Sequence, residues 1–225
     1  MNLQCDIDHP TQTLADLLWL RERFPGGLEG HRIAVSWAYA PSYAKPLSVP
    51  QGLIMLLTRF GADVTLAHPE GYGLTEPCLT AARHHAEQSG GRFRVVGAMD
   101  RAFDGAEAVY PKSWGPHDLM LERVEANQAR DARRMGDIER RALERNALHR
   151  NWICDERRMG LTDGGRALYL HCLPADIGSE VTAGVMSRHA LDLARQANKK
   201  LYVIMALLAV AKVPELARRL EGVPA

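Results

Sequence analysis

The sequence lacks an excess of charge of either sign. Its 28 Lys and Arg face 27 Asp and Glu, a formal net charge of +1, so the basic footprint of a nucleic-acid-binding protein is missing. Long apolar runs are missing too: the longest, Leu201 to Ala211, is closed by Lys212 and falls well short of the ~20 residues a bilayer crossing needs. No membrane partner is expected. The start, Met-Asn-Leu-Gln-Cys-Asp, has neither the basic n-region nor the apolar h-region of a secretory signal, which gives the expectation of a cytoplasmic protein. Cysteine is sparse. Cys5, Cys78, Cys154 and Cys172 lie far apart with no C-x-x-C pair, so they read as reduced thiols rather than a disulfide framework. Also absent are a G-x-G-x-x-G after a strand, a G-x-x-x-x-G-K-[ST] loop and an H-E-x-x-H helix. Nicotinamide binding, nucleotide triphosphate hydrolysis and structural zinc all lose weight.

What is present is an ordinary globular composition, 225 residues with 46% apolar and 24% charged, enough for one large or two small domains. Leu14, Leu17 and Leu18 recur at helical spacing over 10–24, and Pro25-Gly26-Gly27 stops that helix. Residues 32–37 read as a buried strand. Pro41, Pro46 and Pro50 make 38–51 a loop until a helix begins near Val49 or Pro50. Alternation follows: helix 52–60, strand 62–67, helix 75–89, strand 93–96, short helix 100–103, strand 106–110. The mixed-charge stretch 117–150 predicts a solvated helix or helix pair, 167–171 a last strand, and 201–219 a closing amphipathic helix. This order implies an α/β fold, a doubly wound, mostly parallel Rossmann-like sheet with helices on both faces.

Ligands of such sheets gather at the carboxyl ends of the strands, which directs attention to the loops after Trp37, Ala67, Tyr110 and His171. His9-Pro10-Thr11-Gln12 enters a helix, where unpaired amides and the positive dipole end suit an anion or a polarised carbonyl. A capping segment with proline in the first turn is the plain alternative. His171-Cys172-Leu173-Pro174 leaves a strand and offers a thiol, either a nucleophile or a buried structural residue. Lys112-Ser113-Trp114 places a cation beside an aromatic plate, or forms a surface turn with a packed indole. His84-His85 diverge on a helix and are assigned no metal.

The run HPTQ-x-L-A-D from His9 to Asp16 and HCLP from His171 to Pro174, in that order around a doubly wound sheet, together resemble the aspartate/ornithine carbamoyltransferase superfamily. Three further stretches, 36–51, 67–72 and 110–114, are similar to the YgeW-type branch related to the knotted acetylornithine and succinylornithine enzymes. There the proline-rich loop 38–51 would form part of the knotted crossing. The resemblance implies transfer of a carbamoyl group from carbamoyl phosphate to an amine-bearing acceptor, without metal or organic cofactor, in a homotrimer. It further implies that His9 donates to the carbamoyl carbonyl, Gln12 holds its amino group and Cys172 takes part in catalysis. Lys112, Ser113, Trp114, His171, Leu173, Pro174 and Lys200 would then bind the substrates.

The chain departs from that pattern at two places. Where ornithine enzymes resemble Asp-x-Trp, this chain has Lys112-Ser113-Trp114, which replaces an ammonium-pairing carboxylate by a cation and disfavours plain ornithine. Lys200 stands where many relatives resemble Glu-Asn-Arg, giving charge without a bidentate fork. The family's Ser-Thr-Arg-Thr phosphate grip has no counterpart here. The expected division is therefore an interdomain helix in 1–24, an acceptor-binding α/β domain in 25–200 and a helix in 201–225 that packs back toward a carbamoyl-phosphate domain. An inactive fragment or amino-acid-binding module is the alternative, and an unrelated Rossmann-like methyltransferase a third reading.

Overall fold

Helices and strands alternate along the computed structural model, which describes residues 3–221. Residues 1–2 and 222–225 of the expected terminal segments lie outside the described residues. The elements are α1 (Pro10–Arg23), β1 (Arg32–Trp37), α2 (Ser48–Arg59), β2 (Asp63–Ala67), α3 (Glu76–Ser89), β3 (Arg92–Val96), α4 (Met99–Phe103) and β4 (Ala108–Lys112). After them come α5 (His117–Gln128), α6 (Ala132–Ala147), α7 (Glu156–Met159), β5 (Leu168–Tyr169), α8 (Ala183–Lys212) and α9 (Leu216–Leu220). The five strands form one wholly parallel sheet in the order β3-β2-β1-β4-β5. Helices cover both faces of it. Hence β1 and β4 at its centre read as continuous apolar runs, buried from Ile33 to Trp37 and from Ala108 to Lys112. Edge strand β3 is half exposed and carries Arg92 and Arg94, charges that discourage pairing with another chain. Among the described residues no helix is long and apolar enough to cross a membrane.

Three elements differ from expectation, each for a visible reason. Strand β4 runs on through Pro111 to Lys112 because its neighbour β5 pairs only with Ala108 and Val109, so the missing proline amide faces no ladder on that side. Strand β5 is shorter than 167–171: the backbone N–H of His171 turns aside to the Gln196 side-chain oxygen at 3.2 Å. The closing helix starts at Ala183, not residue 201, with the Thr182 hydroxyl accepting from the Val185 amide. Its first half buries Val185, Leu193 and Gln196 along one face, a stripe interrupted by a polar residue, which hid it, and an expected boundary at residue 200 falls inside one continuous helix.

The proline-rich loop after β1 is held as firmly as a regular element. Ala38 N–H donates to the Lys112 carbonyl and Tyr39 N–H to that of Trp152. Buried Asn146 on α6 donates to the carbonyls of Ala40 (3.2 Å) and Ser42 (2.9 Å) and accepts from the Tyr72 hydroxyl. Replacing it leaves two buried polar groups, the Ala40 carbonyl and the Tyr72 hydroxyl, and the half-buried Ser42 carbonyl without this partner, at ~1–3 kcal/mol for each buried group. Asn146→Ala is expected to lower the free energy of unfolding by about 2 to 4 kcal/mol and to speed hydrogen exchange at Ala38 and Tyr39; urea denaturation and exchange mass spectrometry measure both.

Candidate active site at the carboxyl edge of the sheet

Strand order reverses between β1 and β4, and the crevice at their carboxyl ends is where an open parallel sheet receives ligands. The loop after β1 delivers Lys45 there, the end of β4 delivers Lys112 and Ser113, and the segment after β5 delivers His171 to Glu180. Helix α1, entering at His9, and helix α8, through Gln196 and Lys200, close one side.

Glu180 binds these loops together. Fully buried, its Oε1 accepts from the Ser113 amide at 2.7 Å and lies 3.1 Å from Lys45 Nζ, while Oε2 accepts from the Asp176 amide at 2.8 Å. Lys45 also reaches Asp176 at 2.7 Å. Burial alone would raise the carboxyl, but His171, Lys45 and the Asp176 amide outweigh it and hold Glu180 at about 2. His171 Nε2 stands 3.4 Å from Glu180 Oε2, too poorly aligned to make a true hydrogen bond. Burial lowers the imidazole, and because its Nδ1 accepts from the Leu173 amide at 3.0 Å, the neutral ring carries its proton on Nε2. Leu173, exposed next to it, has φ of 41°, a left-handed conformation that costs a non-glycine residue on the order of 1–3 kcal/mol and clusters at functional sites.

On the opposite side, Asp16 has no exposed surface. Its Oδ1 accepts from Gln12 Nε2 at 2.9 Å and Gln196 Nε2 at 2.6 Å, and its Oδ2 from the Tyr110 hydroxyl at 3.1 Å. Burial is the largest influence on it, and despite these donors and the charge of Lys200 the carboxyl is pushed up to about 7. His9, half-buried at the head of α1, is lowered by burial and then by Lys200, so it is a neutral imidazole near pH 7. Burial raises the Cys172 thiol, which leaves no thiolate for nucleophilic attack.

The structure thus brings together His9, Gln12, Lys112, Ser113, His171, Cys172, Leu173 and Lys200, but not all in the expected posture. Trp114 is a correction: wholly buried in the core, its indole N–H donates to the Tyr72 carbonyl at 2.8 Å and its own carbonyl accepts from Trp37 at 2.9 Å. It therefore fixes the end of β4 from behind and offers no plate to a substrate. Lys112 is not in a loop but on β4, 6% exposed, with its ammonium donating to the Ser113 carbonyl and no carboxylate within 4 Å among the described residues. Ser113 Oγ is buried without a partner among the described residues. His171 is also buried and acts through its neighbours, whereas Pro174 is exposed. The sequence reading had not singled out Lys45, Tyr110 or Glu180, nor Asp16 and Gln196 as site residues. Asp16 stands one helical turn after Gln12, a spacing that carries the signal; Glu180 and Lys45 meet from opposite ends of the chain and carry none.

The depressed carboxyl of Glu180 stabilises the fold above the ordinary glutamate range near ~4.3 and loses that contribution as pH falls toward about 2. Glu180→Gln is expected to lower the free energy of unfolding at pH 7, a difference from the unaltered protein that narrows steadily below pH ~4.3; urea titrations of both proteins across that range measure it.

The family described as aspartate/ornithine carbamoyltransferase, Asp/Orn binding domain, matches residues 47–211. A protein of Escherichia coli (strain K12) named "Putative carbamoyltransferase YgeW" is 50% identical over 229 residues, covering 98% of this chain and 58% of that protein. The N-acetylornithine carbamoyltransferase of Xylella fastidiosa (strain Temecula1 / ATCC 700964) is 31% identical, covering 90% and 55%. A crystal structure of N-acetyl-L-ornithine transcarbamylase superposes with a TM-score of 0.79 at 29% identity, over 93% of this chain and 58% of that one. The chain spans little more than half the length of the curated relatives it matches. It belongs to the aspartate/ornithine carbamoyltransferase family and corresponds to that family's Asp/Orn-binding domain.

Proposed function

We propose that this chain is the acceptor-binding part of a carbamoyltransferase, which moves a carbamoyl group from carbamoyl phosphate to the amine of an amino-acid-like acceptor and releases phosphate. What supports the reading is that Gln12 on α1 and Lys200 on α8 lie around the buried Asp16, with His9 at the head of α1 beside Lys200, and that Tyr110 joins Asp16 to Cys172. In this chemistry the acceptor amine attacks the carbonyl carbon. A tetrahedral intermediate forms, the carbon–oxygen bond to phosphate breaks, and the amine loses a proton. Little covalent work falls to the protein, so positioning and charge stabilisation dominate.

His9, neutral, donates to the carbonyl oxygen as negative charge builds on it; Gln12 accepts from the carbamoyl amino group; Lys200 adds a positive charge beside both. The Cys172 and Leu173 backbone lines the path between donor and acceptor. Lys112, a buried ammonium without a carboxylate partner, and the unpartnered Ser113 hydroxyl favour an acceptor with an anionic group or a masked amine over plain ornithine. As the resemblance implies, we read the working form as a cytoplasmic homotrimer.

The test is phosphate release from carbamoyl phosphate across a panel of amines, with free ornithine beside N-acylated and additional-carboxylate analogues. A masked or additional-carboxylate acceptor is expected to exceed ornithine at least tenfold in kcat/KM, and Lys112→Gln to lower that value about 10- to 100-fold while carbamoyl phosphate KM stays within threefold, the size of one lost charged hydrogen bond. Ornithine as best acceptor would remove the role given to Lys112, and no release with any amine would leave the binding-module reading.

A further inference from the structure

A carboxamide has a donating end and an accepting end, and whatever captures the donating end decides where the oxygen points. Asp16 captures two of them. Its Oδ1 takes Gln12 Nε2 from its own helix and Gln196 Nε2 from α8, 180 residues away in sequence. For Gln196 the consequence is visible: its oxygen accepts the backbone N–H of His171, at the very point where the chain leaves β5. For Gln12 the same capture leaves Oε1 as the unengaged end, with no donor among the described residues. On the other oxygen of Asp16 the Tyr110 hydroxyl completes the set, and that hydroxyl also meets the Cys172 thiol. One buried carboxylate thereby joins the head of α1, the middle of α8, the middle of β4 and the segment after β5.

We propose that Asp16 is a positioning residue that fixes the orientation of both carboxamides, so that Gln12 presents an acceptor to the site and Gln196 holds open the turn at His171. The inference rests on the reading above in which Gln12 holds the carbamoyl amino group. That group is a donor, and an amide flipped by half a turn would meet it donor to donor, a mismatch that leaves both unsatisfied. A carbonyl oxygen at position 16 is enough to hold both amides, so the negative charge itself is not what orients them.

Side-chain amide resonances of Gln12 and Gln196 test this without any reaction. In the unaltered protein both are expected to shift together as Asp16 titrates around pH 7. The charged or titratable groups that face Asp16 are Lys200 on α8, Tyr110 on β4 and Cys172. The last two are raised above their ordinary ranges, and His9 near Lys200 is lowered below its own. The Gln51 amide, engaged with the carbonyls of Asp6 and Ile7, serves as the unmoved control. Asp16→Asn, which keeps the oxygen, is expected to retain the bound amide signals and a carbamoyl phosphate dissociation constant within threefold. Asp16→Leu is expected to release both amides and raise that constant at least tenfold.

Unchanged Gln12 and Gln196 signals in a folded Asp16→Leu protein would overturn the proposal. Should Asp16→Leu not fold, Asp16→Asn decides: loss of both bound amide signals in that folded variant, which keeps the accepting oxygen, would overturn it as well. If the amides respond as expected while no form of the protein binds carbamoyl phosphate, the positioning stands and the role assigned to Gln12 in the proposed function falls.

Discussion

A carboxylate taken wholly out of water has to be met by donors from all sides, and Glu180 meets this demand by recruiting the segments that follow β1, β4 and β5. Lys45 comes from the loop after β1, the Ser113 amide from the end of β4, and the Asp176 amide and His171 from the segment after β5. None of these contacts is local except those within the last segment. The crevice is therefore shaped by one charge as much as by apolar packing, and the positive φ at Leu173 is tolerated beside it because the surrounding groups are over-determined.

Asp16, equally buried, ends in the opposite protonation regime. Glu180 has a full positive charge at 3.1 Å and two backbone amides, whereas Asp16 has two neutral carboxamides and a phenol, with Lys200 acting at longer range. Neutral donors compensate desolvation only in part, so one carboxyl is held at about 2 and the other rises to about 7. Two carboxyl groups in one site, driven apart by their partners, divide into a permanent anion and a group whose charge is optional. The anion secures the loops. The other orients amides in either protonation state, since one oxygen can go on accepting while the second exchanges roles with the Tyr110 hydroxyl.

How much of this was legible in the sequence depends on whether the cause is local. Strand β1 was visible residue for residue, and helices α1 and α3 within one residue, because their apolar spacing and their Pro and Gly stops lie inside the segment itself. The long α8 was half hidden: the stripe its first half buries, Val185, Leu193 and Gln196, mixes polar with apolar residues. Pro111 argued against strand where the absence of a neighbour on one side permits it. At the site, the motifs beginning at His9 and His171 could be read as short runs, and Lys112 as a departure from the family pattern. Lys45 and Glu180 could not, because their meaning arises from a contact spanning well over half the chain. Trp114 misled for a related reason: an aromatic beside a cation looks like a binding plate until the fold shows that the indole faces inward.

That inward indole bears on specificity. With Trp114 hydrogen-bonded to both Trp37 and Tyr72, the end of β4 is held from behind, and the ammonium of Lys112 is held against the Ser113 carbonyl. A free α-ammonium brought to that position would meet a cation of the same sign in a largely desolvated setting. Like charges placed together are strongly penalised there, more than the corresponding attraction is rewarded at an exposed surface. In the proposed reading, discrimination against plain ornithine thus comes chiefly from repulsion built into a strand end held from behind, and the identity of the favoured acceptor from what neutralises Lys112.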